Sequence, residues 1–289
     1  MPSTKEIRNR IRAIRNTAKI TGAMEMVAAS KMKRAQVATL QNRPYSQSIY
    51  EVIFNLSREP KIIHPLLSIK KGKMNKKLLI VITSDKGLCG SFNAAVLRKA
   101  QTYFKENPDC DVVTLGKKGQ NYLKRLGKNI IATFTNFPIH PHILDIRPII
   151  KIVTESFLKD GYDEVAVCYT DFLATLKQVP TIKTLLPLDA EHLKDNEQVA
   201  REITIKFEPS PKEIIEYLIP RILEVQFYQM VLESIASEQS ARMVAMKNAT
   251  EAAADLIDDL NLTYNSIRQA NITQELAEIS AGANLKERE

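Results

Sequence analysis

The chain reads as an α/β domain carrying a coiled coil built from its own two ends. Three observations predict this. The 61 residues from Arg221 to Ala281 contain no Gly or Pro, although nine Gly and thirteen Pro punctuate the chain as a whole. The first 43 residues hold ten Lys/Arg against two Asp/Glu, whereas residues 211–289 hold seven against thirteen, so one end is basic and the other acidic. Between them, short runs rich in β-branched residues alternate with helix-length segments, the pattern of a mostly parallel sheet.

The C-terminal element starts at Ser210-Pro211-Lys212-Glu213, with Ser at the N-cap, Pro at the first helical position and Glu at N3, a capping box. Alternate steps of four and three from Leu218 pass through Ile222, Val225, Gln229, Leu232, Ala236, Gln239, Met243, Met246, Thr250, Ala253, Ile257, Leu260, Tyr264, Ile267 and Asn271. Twelve of these sixteen positions are apolar, and their mean spacing of 3.5 residues is that of a left-handed coiled-coil seam. From Pro211 to Ala281 such a helix is about 107 Å long. Two or three stacked helices are the alternative, but no breaker marks a joint. At the other end Ser3 and Glu6 form a second possible capping box, and Ile7, Ile11, Ile14, Ala18, Thr21, Ala28, Met32 and Ala35 keep the same spacing, with Glu25 as the misfit. Gly22 is the weak point of this helix, Pro44 kinks or ends it, and Pro60 and Pro65 bound it. The opposite charges of the two helices predispose them to pair; the pattern is compatible with either orientation.

The strands and helices of the middle follow in order. Lys77–Thr83 is a strand, and the loop Ser84–Ser91 leads to a helix from Phe92 to about Phe104. Asp111–Leu115 is a strand, Gly116–Leu126 a helix, Ile130–Phe134 a strand and Ile143–Lys159 a helix. Glu164–Tyr169 and Thr181–Leu186 close the set. The domains expected are residues 1–58 (N-terminal coil helix), 59–76 (linker), 77–207 (central α/β domain) and 208–289 (C-terminal coil helix).

Composition narrows the function. No run of eighteen apolar residues is present to span a membrane, and no apolar stretch follows the basic start to make a secretory signal. Cys89, Cys110 and Cys168 are far apart and odd in number, which suits a reduced compartment and neither a disulfide nor zinc. His140-Pro141-His142 has no nearby Cys or cluster of acids to complete a metal site. The net charge of +8 equals that of the first 43 residues, so the basic character belongs to one helix. Nucleic acid is one partner for such a helix, but the segment has no aromatic residue before Tyr45 on which bases could stack. An acidic protein partner, or the chain's own acidic helix, suits it equally. The loop after the first strand offers Gly87 and Gly90 beside Lys86, but it is neither GxGxxG nor a Walker motif, and a turn is its simpler reading.

Four tracts carry a resemblance to a known family. Lys19 to Met32 (KITGAMEMVAASKM), Asp85 to Gly90 (DKGLCG), Ser237 to Thr250 (SEQSARMVAMKNAT) and Arg268 to Leu276 (RQANITQEL) resemble, in order, spacing and total length, the signatures of the gamma subunit of rotary ATP synthases, in its bacterial form. The resemblance implies a long antiparallel coiled coil of the N- and C-terminal helices with a central Rossmann-like α/β domain. It implies a non-catalytic central-stalk rotor of the proton-translocating ATP synthase, turning inside a hexamer of alternating alpha and beta subunits. Rotation would couple ion flow to ATP synthesis or hydrolysis at the beta subunits. The body would pack with the epsilon subunit and the c-ring of the membrane sector. No cofactor, metal, nucleotide or nucleic acid is implied. The location implied is the cytoplasmic face of the bacterial plasma membrane, as a peripheral protein. Residue by residue, Met24 and Arg242 match the coupling region, and Gln269, Thr273 and Glu275 match contacts to the beta subunits. Arg8, Arg12, Lys19, Lys31, Lys33 and Arg34 would form a basic collar facing acidic beta loops, including the DELSEED segment. Asp85, Lys86, Gly87, Cys89 and Gly90 form the central-domain loop. Gln269 and Thr273 lie four apart on one stripe, each two residues past a seam position, and so face outward. Gly22 and Ser91-Phe92 depart from common family residues. The cysteine-bearing regulatory insert of the chloroplast form is missing, so no thiol switch is expected.

Overall fold

A computed structural model describes residues 3–57, 66, 76–159, 161–188 and 211–286. Its elements run α1 (Thr4–Ser57), β1 (Lys77–Ile82), α2 (Phe92–Glu106), β2 (Asp111–Leu115), α3 (Lys117–Arg125), β3 (Ile130–Phe134), α4 (Ile143–Lys159), β4 (Glu164–Ala174), β5 (Lys177–Leu186) and α5 (Pro211–Lys286). The chain divides into two compact units, Ala28–Arg242 on the one hand, and Met1–Val27 with Met243–Glu289 on the other. The expected capping box at Ser210 and most of the expected linker lie outside the described residues.

The larger unit is organised by a five-stranded sheet in the order β3-β2-β1-β4-β5. Four strands are parallel, and β5 returns antiparallel to β4 through a hairpin turned at Thr175-Leu176. β1 is buried on both faces, which is why it reads as an unbroken apolar run instead of an alternating one. Leu78, Ile80 and Ile82 point to one core with α4 and the α5 residues Ile219, Ile222, Leu223, Phe227, Met230 and Val231. Leu79 and Val81 point to the other, with Val96, Leu97, Ala100 and Phe104 of α2 and Leu123 of α3. Phe92, one of the departures from the family pattern, is buried at the start of α2. Gly116 caps α3 with φ +99°, and a Cβ there would stand 2.2 Å from the Thr83 carbonyl oxygen, so only glycine fits.

In the same unit α1 packs on α5. Ala35 and Ala236 share a cluster with Phe172, and Asn42 Nδ2 donates to Gln229 Oε1 at 2.9 Å. Moving one heptad forward on α1 thus moves one heptad back on α5, which makes the pair antiparallel. α1 continues through Pro44 to Ser57. Pro44 lies on an exposed face, where water can satisfy the backbone carbonyl that its missing N–H leaves unpaired. Pro148 in α4 and Pro220 in α5 are exposed in the same way.

The smaller unit holds the two chain ends. Ile7 and Ile11 are buried, with Ile14, Ala18 and Thr21 half-buried on the same stripe. On α5, Met246 and Ala253 are buried and Thr250, Ile257, Leu260, Tyr264 and Ile267 half-buried, which are the positions the four-three spacing selects. Thr21 Oγ1 and Thr250 Oγ1 lie 2.7 Å apart, so a polar seam position is hydrogen-bonded across the coil. From Arg268 to Ser280 every residue is exposed, and the seam ends at Ile267. At the start of α1, Glu6 N donates to Ser3 Oγ at 3.2 Å, one half of the expected capping box; the Glu6 carboxylate pairs with Arg10.

Candidate functional site

In a sheet of this order the chain leaves β1 in one direction and returns to its other side as β4. The crevice beyond the carboxyl ends of β1 and β4 is therefore the topological switch point, where such sheets ordinarily take ligands. Here α5 is hydrogen-bonded to both sides of that crevice. On the β1 side the loop Ser84–Gly90 is knotted by its own side chains. Ser84 Oγ donates to the Lys86 carbonyl at 2.6 Å, and Asn93 Nδ2 donates to Ser84 Oγ at 2.7 Å and reaches Cys89 Sγ at 3.1 Å. Asp85 Oδ1 accepts the Lys117 N–H at 3.0 Å, placing a carboxylate at the N-terminus of α3. Leu88 and Gly90 both take positive φ, 62° and 55°, whereas a Cβ on Gly87 would meet only the end of Lys118 at 3.8 Å. The glycine geometry expected of this turn is therefore needed at Gly90 and not at Gly87.

Arg242 reads this loop. Its Nη2 donates to the Gly87 carbonyl at 3.2 Å and the Lys86 carbonyl at 3.4 Å, while Nη1 meets Glu238 Oε1 at 2.7 Å. The Arg242 and Glu238 side chains are only 11% and 18% exposed, so the ion pair is largely desolvated. Burial pushes the Glu238 carboxyl above the usual carboxylate range; Arg242, and more weakly Lys31, pull it back, while Asp85 adds to the rise. On the β4 side, Ser237 Oγ donates to the Thr170 carbonyl at 3.3 Å and Ser240 Oγ to the Thr175 carbonyl. Gln178 Nε2 donates to the Thr175 carbonyl and to Ser240 Oγ. One turn earlier, burial raises the Glu233 carboxyl, which accepts from Gln229 Nε2 at 2.8 Å.

These contacts place the residues singled out in the sequence. The structure brings Arg242 together with Lys86 and Gly87, and Lys31 is half-buried among the charges around Glu238. Asp85 and Cys89 are used inside the loop. Met24 is half-buried on α1. Arg8, Arg12, Lys19, Lys33 and Arg34 are exposed. Gln269, Thr273 and Glu275 are exposed on the part of α5 beyond the seam, and Thr273 Oγ1 donates to the Gln269 backbone carbonyl at 3.0 Å. Sequence reasoning missed Glu233, Ser237, Glu238 and Ser240 as contact residues. A signal existed: Glu233, Ser237 and Ser240 each follow a seam position by one and so form a second four-three stripe, polar throughout.

Fold and site define a class of protein in which a Rossmann-like α/β body uses its switch-point loop to hold a helix, and the two chain ends pair as an antiparallel coiled coil. A family model described as ATP synthase matches residues 3–284. The ATP synthase gamma chain of Roseiflexus sp. (strain RS-1) is 46% identical over 288 residues, covering 98% of both chains. That of Nitrosomonas eutropha is 42% identical over 292 residues, covering 98% of this chain and 99% of the relative. The chain belongs to the ATP synthase gamma-chain family. Among solved structures, a chain from the central stalk and c-ring of the Tetrahymena thermophila mitochondrial ATP synthase is 28% identical. Its TM-score is 0.61, with 80% of this chain and 99% of that one covered. A chain of the Euglena gracilis mitochondrial ATP synthase, 20% identical with a TM-score of 0.70 over 97% of this chain and 93% of that one, shares the fold.

Proposed function

We propose that this chain is the rotor of the central stalk of an ATP synthase, turning within a hexamer of alpha and beta subunits and seated on the c-ring with the epsilon subunit. The observation that carries the reading is the match of the whole chain, at 46% and 42% identity, to ATP synthase gamma chains. Physical features of the chain support it. The coil seam ends at Ile267, and the exposed segment beyond it carries Gln269, Thr273 and Glu275. Polar side chains there are available to a surrounding beta subunit. The exposed cations Arg8, Arg12, Lys19, Lys33 and Arg34 on α1 suit acidic loops of the same housing. Met24 and Arg242 act in coupling, Arg242 by holding the Lys86-Gly87 turn that it already bonds.

The chain is a non-catalytic part of the enzyme. Its switch-point crevice, the place a nucleotide would use, is spanned by hydrogen bonds from Ser237 and Arg242. No described helix is long and apolar enough to cross a membrane. On the rotor reading the chain joins the membrane-bound complex through its partners, at the cytoplasmic face of the plasma membrane. The test is reconstitution. Alpha and beta subunits mixed with this chain should form a sustained ATPase that neither mixture without it produces, and the isolated chain should not bind ATP. Equal activity without the chain would contradict the proposal.

A further inference from the structure

Apolar packing holds a helix in its groove by burial and close packing, which resist large turns but set no sharp angle for small ones. Hydrogen bonds behave differently: they weaken steeply once the donor angle falls away from linear. The contacts of α5 with the α/β body are of both kinds. Upstream, Ile219, Ile222, Leu223, Phe227, Met230 and Val231 sit in an apolar core, flanked by two polar contacts: Glu224 pairs with Arg147 at 3.1 Å and Tyr228 Oη donates to the Pro141 carbonyl at 2.9 Å. Downstream, over little more than one turn, the contacts become polar and point at backbone carbonyls. Ser237 and Ser240 are both fully buried, and they donate to the carbonyls of Thr170 in β4 and Thr175 at the turn of the β4–β5 hairpin. Gln178 on β5 donates back to Ser240 Oγ. Arg242, held by Glu238, donates to the Lys86 and Gly87 carbonyls on the β1 loop. The acceptors are main-chain atoms of β4, of the β4–β5 turn and of the β1 loop, so rotating α5 by one side-chain position (about 100°) would break every one of these bonds.

We infer that Ser237, Ser240 and Arg242, with Glu238 and Gln178 as positioning residues, form a rotational clutch that fixes the azimuth of α5 against the α/β body. This rests on the rotor reading: the clutch is where torque passes between body and helix. Small hydroxyls suit the task because they reach only the nearest carbonyl and have few rotamers in which to follow it if the helix turns.

The experiment holds the assembled alpha/beta hexamer on a surface, stalls it, and records the thermal angular fluctuation of a bead attached to the α/β body. The double variant Ser237→Ala/Ser240→Ala keeps the helix, since Ala is a good helix former, but removes three of the directional bonds. Angular variance scales inversely with torsional stiffness, so it is expected to rise at least about twofold in that variant. Met230→Ala cuts an apolar contact of the same helix and is expected to lower the melting temperature while leaving the variance near that of the parent. Should the double variant fail to assemble, Gln178→Leu removes the one bond that β5 donates to α5, together with its bonds inside the hairpin, and is expected to broaden the distribution by a smaller amount; parental variance there overturns the clutch as well. Parental variance in the assembled serine variant, or equal broadening by Met230→Ala, overturns the clutch. A parent chain that assembles but never rotates with ATP overturns the rotor reading, and the clutch with it.

Discussion

Replacing Arg242 by Ala tests whether the loop clamp is a desolvated structure or a surface decoration. The substitution removes the 2.7 Å ion pair to Glu238 and both bonds to the Lys86 and Gly87 carbonyls. It also leaves a carboxyl that is 18% exposed facing the space the guanidinium held. Breaking a buried pair from one side costs about 3–5 kcal/mol, and the residual exposure of Glu238 favours the lower end, about 3 kcal/mol near pH 8. For a unit of this size that is roughly 6–12 °C in Tm. The pH dependence follows from the direction of the Glu238 shift. Its folded pKa is raised by burial and lowered by Arg242, so removing the arginine raises it further. A raised carboxyl contributes stability that is full below its unfolded pKa and is lost as pH rises through the folded one. The cost of Arg242→Ala is therefore largest in alkali and shrinks as pH falls through the raised folded pKa and Glu238 takes up a proton. Adding Glu238→Gln to the variant removes the orphaned charge and should restore about 1–2 kcal/mol near pH 8. Thermal melts of the parent, the single and the double variant across pH 5–8 measure all of this. A loss below about 1 kcal/mol that is flat with pH, the ordinary cost of a surface ion pair, would refute the reasoning.

Three further outcomes are expected. Gly22→Ala should raise Tm by a few degrees, because a Cβ there meets only Thr250 Cγ2 at an ordinary 4.0 Å and Ala is worth about 1 kcal/mol over Gly in a helix; a lower Tm would mean that the coil needs the glycine. Asp111→Asn should destabilise the body by about 1.5–3 kcal/mol at neutral pH, since the carboxylate accepts from Tyr162 at 2.6 Å and Asn129 at 2.8 Å and pairs with Lys76 at 2.9 Å. Those partners outweigh burial and hold Asp111 below the usual range, so the stability it adds is present above the unfolded pKa and fades as acid reaches the folded one. The gap between parent and variant in urea titrations should close on acidification, and a gap constant with pH would count against the charge-based account. The thiols Cys110 and Cys168 are buried and pushed up to about 12, chiefly by that burial, and Cys89 is buried too. Ellman's reagent should label the native chain far more slowly than the urea-unfolded one; rapid native labelling of all three would show that the body opens.

The apolar stripe of α5 was legible because its contacts repeat: Met246, Ala253, Ile257 and Ile267 are less exposed than their neighbours as the spacing requires. The parallel strands were legible because burial on both faces forces apolar runs such as Leu78–Ile82. The continuation of α1 past Pro44 was open in the sequence, since a proline stops a helix or not according to whether its unpaired carbonyl meets water, and that depends on which face the fold exposes. The length of the β4–β5 hairpin was hidden by Thr170-Asp171, which interrupts the apolar pattern of β4. The clamp was the least legible part. Buried serines in a helix resemble a weak helix until the carbonyls that receive them exist, and those carbonyls, in β4 and its turn, lie 60 and more residues away.

The central claim is that this chain turns. With alpha and beta subunits fixed to a surface and a bead on the α/β body, addition of ATP should produce continuous rotation in one direction that stops when ATP is exhausted. Hydrolysis by the assembled complex with a bead that only fluctuates about a fixed angle would contradict it.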